Sequence, residues 1–364
     1  MNRAHALPFQ PGADALATAL RTALEAARRG HRGANPLVGA CILDAEGHII
    51  ATGFHLGAGS PHAEIDALRR LGRIDKARAR TLSMVVTLEP CNHTGRTGPC
   101  AQAIIDSGIG AVYYALPDQT STAAGGAQTL QVAGIHVDRI GDGQQAWELN
   151  HRWLRAQAAG RPFITVKTAQ SLDGRINAPD GTSQWITSEA SRTHAHQLRA
   201  RVDGIVVGTE TVLSDDPRLT ARTMIGTLHA HQPYRLVLGH RDLPQDLALA
   251  YDERWEQLRS HDVHALTARA SELGLSHLLI EGGATVASAF IAADLADELF
   301  CYQATDIIGA GSASVNLPTV TTLSQRRAFR LDAHQPDALR RLGPDVLMHL
   351  EPEPDPAHAH ANKI

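Results

Sequence analysis

Met84-Val85-Val86-Thr87-Leu88 runs into Glu89-Pro90-Cys91 and, after a loop that ends at Pro99, into Cys100-Ala101-Gln102-Ala103-Ile104-Ile105-Asp106. The apolar, β-branched run reads as a buried strand, the Glu-Pro pair breaks it, and 100–106 reads as a helix. Ala111 to Leu116 then repeats the strand pattern. Strand, helix and strand in succession imply parallel pairing with the helix across one face. Upstream, Leu16, Leu20, Leu24 and Ala27 recur at helical spacing, and Gly30 is placed to stop that helix. Leu37 to Leu43 is an apolar run, Asp44–Gly47 a turn and Ile49 to Phe54 the paired strand. A helix begins near Pro61, since proline is tolerated in a first turn. With a last strand over Ile135 to Ile140, this half reads as a mostly parallel α/β sheet with helices on its faces.

The chain has 364 residues, and roughly 100–200 residues per domain suggests two domains. Gln144 to Gln157 reads as a helix that Gly160-Arg161-Pro162 breaks, so the boundary falls between Ile140 and Phe163. Beyond it come strands near Phe163–Ala169, Gly204–Val207, Tyr234–Leu238, His277–Ile280 and Glu298–Thr305. Helices near Ser188–Arg201 and Thr285–Ala293 make this a second α/β domain. The expected division is 1–150 and 151–350. The Pro-, His-, Ala- and Asp-rich stretch 351–364 is read as a disordered tail.

Net charge is -4 and aromatics are 4%, which argues against a basic nucleic-acid surface and for a small-molecule substrate. No apolar run is long enough for a membrane span or a signal peptide, so the cytoplasm is the expected compartment. In such a chain the four cysteines, Cys41, Cys91, Cys100 and Cys301, suit metal ligation or burial better than disulfides.

His62-Ala63-Glu64, Pro90-Cys91 and Cys100 carry the first chemistry. One imidazole and two thiolates make three zinc ligands and leave the fourth tetrahedral position open, as catalytic zinc requires. Such zinc brings water to a pKa near 7, and attack on an amine-bearing ring carbon then needs a proton shuttle, the role of Glu64. His62 and Cys100 both stand at predicted helix starts, which favour a thiolate. His-x-Glu alone is weak among 20 histidines; the conjunction in this order is strong. Zinc nucleobase deaminases commonly space the cysteines by two residues, whereas eight separate them here, Asn92 to Pro99. The second half has no G-x-G-x-x-G. It has Glu281-Gly282-Gly283 between a strand and a helix, where glycine permits close backbone approach and free helix N–H groups suit a pyrophosphate.

Several longer strings resemble the bifunctional riboflavin-biosynthesis deaminase–reductases. In the first half they are Asn35-Pro36-Leu37-Val38-Gly39-Ala40, Gly53-Phe54-His55 with Pro61-His62-Ala63-Glu64, and the whole of Pro90 to Cys100. In the second half they are Lys167 to Arg175, Ser183-Gln184-Trp185-Ile186-Thr187, Thr211 to Thr220 and Glu281-Gly282-Gly283. The resemblance runs from about Ala17 to Leu350. It implies a cytidine-deaminase-like α/β/α fold followed by a dihydrofolate-reductase-like α/β fold. It also implies two reactions: zinc-dependent hydrolytic deamination of 2,5-diamino-6-(ribosylamino)pyrimidinone 5'-phosphate, then NADPH-dependent reduction of the ribosyl side chain to ribityl.

Carried onto this sequence, the resemblance implies NADPH contacts at Ala169, Trp185, Thr211 and Asp215. It puts the cofactor's phosphate loop at Gly283, Ala284, Thr285, Val286, Ala287, Ser288 and Ala289. Ser183, Arg199, Leu219, Arg222 and Glu281 are implied as reductase-substrate contacts, and Asn35, His55, His93 and Arg96 as deaminase-substrate contacts. Arg199 and Arg222 suit a phosphate, which guanidinium binds bidentately. Lys167 is grouped with the substrate contacts, and Lys167, Asp215 or solvent would supply the proton that accompanies reduction. A homodimer or homotetramer is also implied.

The sequence departs from the family's pattern at three places. Asp118-Gln119-Thr120-Ser121 stands for Asp-Pro-Asn-Pro, Gly126 for the lysine of Gly-Lys-Gly, and Leu238-Gly239-His240-Arg241 for Leu-Asp-Ser-Arg. The last departure motivates an alternative, a deaminase whose C-terminal domain only binds nucleotide. A third reading, an RNA- or nucleoside-directed deaminase, is opposed by the acidic charge and the Asn92–Pro99 insert. A fourth is a structural zinc site closed by His93.

Overall fold

The computed structural model describes residues 10–92, 98–118, 125–141, 143–335 and 337–353. The chain divides into two compact units, Met1–Ala158 and Ala159–Ile364. The division falls after Ala158 and not at 150, because one helix runs unbroken from Gln144 to Ala158.

In chain order the first unit contains α1 (Ala13–Ala27), β1 (Gly39–Leu43), β2 (Ile49–Phe54), α2 (Ala63–Leu71), α3 (Lys76–Ala79) and β3 (Ser83–Leu88). It continues with α4 (Cys100–Ser107), β4 (Ala111–Leu116), α5 (Gly126–Val132), β5 (His136–Arg139) and α6 (Gln144–Ala158). Its sheet has the order β2-β1-β3-β4-β5. β3, β4 and β5 are parallel, as the strand–helix–strand reading implies. β1 is antiparallel to both β2 and β3, so the sheet is mixed and not mostly parallel. The β1–β2 hairpin turns at Asp44, whose carboxylate accepts from the backbone N–H groups of Glu46 and His48.

Every residue of β1 and β3 is buried, because helices cover both faces. Cys41, Leu43, Val85 and Tyr113 pack with Ala19 and Ala23 of α1. The alternate set, Ala40, Ile42, Met84, Val86 and Val112, packs with Ala63 and Ala67 of α2 and Ala101 and Ile104 of α4. Each large aliphatic side chain so buried contributes about 1.5–3 kcal/mol. This core fixes the N-termini of α2 and α4 against the end of β3.

The second unit contains β6 (Phe163–Gln170), α7 (Glu189–Arg199), β7 (Gly204–Gly208), α8 (Thr209–Asp215), β8 (Tyr234–Leu238) and β9 (Trp255–Leu258). It goes on through α9 (Val263–Glu272), β10 (His277–Ile280), α10 (Ala284–Ala292), β11 (Glu298–Gln303), β12 (Phe329–Leu331), β13 (Leu339–Leu342) and β14 (Asp345–Pro352). Nine strands form one sheet in the order β12-β14-β11-β6-β10-β7-β8-β9, with β13 also on β14. From β11 to β9 every pairing is parallel, and the C-terminal strands are antiparallel. The parallel strands therefore end along one edge, where open α/β sheets bind ligands.

Asp297 starts this sheet. Its carboxylate takes both terminal nitrogens of Arg161, at 2.6 and 2.8 Å, and the backbone N–H of Ile164, at 2.9 Å. Glu351 and Pro352 close β14; the rest of the expected tail, from 354 on, lies outside the described residues. Among the described residues no helix is long and apolar enough to cross a membrane.

Candidate active sites

In the first unit three elements deliver metal-binding atoms to one point. His62 caps the N-terminus of α2, Cys91 follows β3, and Cys100 is the first residue of α4. His62 Nδ1 lies 3.2 Å from Cys100 Sγ and 3.6 Å from Cys91 Sγ, and all three donor atoms lie within 4.8 Å of one another. The backbone N–H of Cys100, free at its helix start, donates to Cys91 Sγ at 3.4 Å. The Cys100 thiol and the His62 ring hold Cys91 down at about 4. Cys100, facing that sulfur and buried, is pushed up. Two buried thiols that share one charge ionise together only beside a cation. With the imidazole they form the three-ligand set that zinc takes while keeping a fourth position open.

Glu64, in the first turn of α2, is 3% exposed and lies against the Cys100 thiol. Burial, with Cys91 adding to it, lifts its carboxyl to about 7, so it can hold or release a proton near neutrality. His55 stands with its ring centroid 5.3 Å from that of His62. Its Nδ1 donates to the Pro61 carbonyl at 3.0 Å, so Nε2 accepts from the Asn35 amide, also at 3.0 Å. Burial lowers its pKa and favours this neutral form. Asn35 and His55 are thus brought beside the metal donors as expected; His93 and Arg96 lie outside the described residues.

Two supports carry no sequence signal. Asn150 of α6 accepts from Leu37 N–H at 2.7 Å and donates to Leu37 C=O at 2.9 Å, clamping the segment that presents Asn35. The Glu89 carboxylate accepts from the backbone N–H of Asp118 at 3.2 Å and of Ala127 at 3.0 Å, pinning both ends of the segment between β4 and α5. Position 126, set by the resemblance against a lysine, admits no side chain. A Cβ there would lie 1.7 Å from the Pro90 carbonyl oxygen, so α5 starts hard against the Cys91 loop.

In the second unit Lys167 of β6, Arg199 of α7 and Glu281 after β10 converge. Arg199 grips both oxygens of Glu281, Nη2 at 2.7 Å and Nε at 2.8 Å, and Lys167 Nζ lies 3.6 Å away. Burial alone would raise the Glu281 carboxyl; Arg199 and Lys167 overcome it and hold it at about 2. The third Arg199 nitrogen, Nη1, donates to the Thr220 carbonyl at 3.2 Å. Arg222 Nε donates to the Thr220 hydroxyl at 3.1 Å, and neighbouring Leu219 is buried at a φ of 52°.

At the strand-end edge, Thr211 of α8 accepts the Gly283 backbone N–H at 3.2 Å. Gly282 packs so closely on β7 that a Cβ would sit 2.7 Å from Val207 Cα. Gly283 and Thr285 are exposed and Ala284 half-buried, so the first turn of α10 is open. Val286, Ala287 and Ser288, also expected in the phosphate loop, have buried side chains. Ser288 is occupied by the Asn316 backbone N–H at 2.8 Å, and Ala289 is half-buried. Ala169, next to the last residue of β6, is half-buried. Trp185 is 69% exposed, not a core residue, with the Arg192 guanidinium 4.5 Å over its ring. Asp215 is exposed and Ser183 half-buried; among the described residues neither is hydrogen-bonded to the other expected contacts.

The N-terminus of α7 is anchored by Asp345, which sequence reasoning missed. One oxygen of Asp345 accepts from Ser188 N–H at 2.7 Å, Ser188 Oγ at 2.8 Å and Ser191 Oγ at 2.5 Å. Further along the helix, His194 Nδ1 meets Tyr302 Oη at 2.5 Å, and Arg340 bonds its other ring nitrogen.

Residues 14–116 match the cytidine and deoxycytidylate deaminase zinc-binding region, and residues 162–342 match the RibD C-terminal domain. The riboflavin biosynthesis protein RibD of Mycobacterium tuberculosis is 40% identical over 317 residues, 86% of this chain and 90% of that protein. RibD of Escherichia coli is 34% identical over 365 residues, 90% of this chain and 97% of that protein. Among solved structures, Acinetobacter baumannii RibD superposes with a TM-score of 0.74 at 33% identity, covering 94% of this chain and 100% of that one. A Thermotoga maritima diaminohydroxyphosphoribosylaminopyrimidine deaminase/5-amino-6-(5-phosphoribosylamino)uracil reductase superposes at 0.70 and 28% identity, over 93% and 99%.

Proposed function

The chain belongs to the RibD family of riboflavin-biosynthesis proteins, which join a deaminase domain to a reductase domain, and from that premise we propose its substrates and the residues that serve each step. The first step is deamination of 2,5-diamino-6-(ribosylamino)pyrimidinone 5'-phosphate. His62, Cys91 and Cys100 would hold the zinc, which supplies Lewis-acid activation of the attacking water. Glu64 takes a proton from that water as its oxygen adds to the amine-bearing ring carbon. It passes that proton to the ring nitrogen, then carries the proton of the newly added hydroxyl to the departing ammonia as the C–N bond breaks and the carbonyl forms. His55 and Asn35 orient the ring, and His93 and Arg96 are the further proposed substrate contacts. The observation that carries this reading is the buried, proton-holding Glu64 beside three metal donors within 4.8 Å of one another.

The second step reduces the ring-opened imine of the ribosylamine. A nicotinamide cofactor, proposed to be NADPH, supplies the hydride. Thr211 and the open first turn of α10 are the proposed pyrophosphate seat, with Ala169, Trp185 and Asp215 along the cofactor. Ser183, Leu219 and Arg222 contact the substrate, and Glu281 orients Lys167 and Arg199. Of the two side chains able to protonate the imine nitrogen, Lys167 sits in the charged cluster while Asp215 is exposed, which favours Lys167. A homodimer or homotetramer in the cytoplasm completes the proposal.

The test is direct. Purified protein should hold about one zinc per chain, release ammonia from the diaminopyrimidine phosphate, and then consume NADPH in preference to NADH. Zinc without ammonia release would sink the proposed substrate, and ammonia release without cofactor oxidation would sink the reductase assignment.

A further inference from the structure

We infer that Trp153 of α6 is a positioning residue of the deaminase, which sets the Asn35 amide against His55 by fixing the backbone just before Asn35. The inference rests on the deaminase reading above and adds to it a residue that no sequence motif marks. Residues 32–37 form neither helix nor strand, so no ladder of backbone bonds holds them. Their polar groups must find partners elsewhere, and α6 supplies them. Trp153 lies three residues beyond Asn150 and four beyond Leu149, which sets all three on one face of the helix. On that face the Trp153 indole N–H donates to the Ala34 carbonyl at 3.1 Å. Asn150 holds the N–H and C=O of Leu37, and the Leu149 carbonyl accepts from the Arg32 guanidinium.

These grips fall on both sides of Asn35. Trp153 takes the carbonyl of the residue before it, and Asn150 takes the residue that follows Pro36. Pro36 itself has no N–H and confines Asn35 to extended conformations. With the chain tied to one helix before and after it, Asn35 has little room to turn. The side chain so presented is already committed at one end: Nδ2 donates to His55 Nε2 at 3.0 Å, and His55 stands beside His62. The Asn35 amide oxygen has no hydrogen bond to protein among the described residues, so it is the end left for a ligand.

Loss of the Trp153 bond frees the peptide between Ala34 and Asn35 to rotate. That rotation swings the amide oxygen and strains the bond to His55. The metal donors do not depend on it, since they stand at the starts of α2 and α4 and after β3. Trp153 therefore governs how the substrate ring is held and leaves the metal alone. It does so from residues beyond 150, a stretch that the sequence assigned to the other domain; the unbroken course of α6 to Ala158 brings it back to the deaminase.

The experiment is a double-mutant cycle on the full, zinc-loaded chain, read as ammonia release from the diaminopyrimidine phosphate. W153F keeps an aromatic ring and removes the N–H. It should raise KM about three- to tenfold. Its kcat should stay within about twofold of wild type, the pattern of lost uniform binding, with zinc content unchanged. N35A should raise KM at least as much. In the N35A background W153F should raise KM no further, because Trp153 acts through Asn35; independent residues would multiply their effects. A second readout needs no substrate: in protein with isotopically labelled histidine, the His55 Nε2 resonance should move in W153F in the same direction as in N35A. The inference is overturned if W153F lowers the unfolding temperature without changing KM, which would make the bond structural only. It is also overturned if the two effects multiply, or if the His55 resonance moves in N35A and stays in W153F. If N35A leaves KM unchanged, the reading of Asn35 as a substrate contact fails. A His55 resonance that still moves in W153F would then uphold Trp153 as the residue that sets the Asn35–His55 bond.

Discussion

Cys91 and Cys100 share one negative charge between two buried sulfurs, whereas Glu281 sets its charge against two cations, Arg199 and Lys167. The first cluster is electrically incomplete within the chain: its donors point at a place where a cation belongs. The second is complete within the chain: its members already satisfy one another before any ligand arrives. Damage to the first should therefore appear mainly as lost chemistry, and damage to the second as lost stability as well.

The strongest attempt to break that contrast is Glu64→Gln. Ammonia release should fall by roughly 10²–10⁴-fold, the usual worth of a placed proton shuttle. Zinc content, and NADPH oxidation on already deaminated substrate, should hold; a matching drop in the reductase would show that the sites are not separable. Glu281→Ala tests the other side. It leaves Arg199 buried without its partner, so urea unfolding at pH 7 should show a loss of about 3–5 kcal/mol.

Acid sharpens this second case. The folded Glu281 carboxyl titrates at about 2, below its ordinary 4.5, so its stabilisation is whole above 4.5 and disappears as pH falls toward 2. The gap between wild type and Glu281→Ala should be narrower at pH 3 than at pH 7; an unchanged gap would mean the pair does not carry the charge ascribed to it.

Asn150→Ala removes both bonds to Leu37 and should cost about 1–3 kcal/mol, with a raised KM for deamination because Asn35 loosens. Thr211→Val should be the mildest, about 0.5–1.5 kcal/mol. A few-fold higher KM for the cofactor and an unaltered deaminase would fit the seat proposed at Gly283.

The metal donors and Glu64 were readable because zinc accepts few residue types and sets them at strand ends and helix starts. The inner parallel strands β3, β4, β6, β7, β8, β10 and β11 were readable as apolar runs, since a strand covered on both faces has no polar alternation to confuse it; the edge strand β9, Trp255–Leu258, was not assigned, because two of its four residues, Glu256 and Gln257, are polar. β12 to β14 were not assigned, because β14 buries alternate residues such as Asp345, Leu347 and His349, two of them polar. The direction of β1 relative to β3 was equally hidden: nothing local to 39–43 says which way a neighbour distant in the chain will run. Asn150, Glu89 and Asp345 act through backbone N–H and hydroxyl groups, and a lone buried acceptor of this kind leaves no pattern in a sequence. A motif marks a segment such as Gly283 to Ala289 as a whole, while helix geometry decides that the side chains of Val286 to Ser288 are buried and that of Thr285 is open.

Asp345 also sets an order of events during synthesis. The helix it anchors, with Arg192, His196 and Arg199, emerges from the ribosome long before the strand that carries Asp345, and β6 must likewise wait for β10 and β11 on either side. The N-terminal unit draws all its strands and donors from residues made first, and can close around its metal while translation continues. A ribosome stalled before β14 would thus carry a nascent chain able to release ammonia, with the cationic helix of the second unit still untethered.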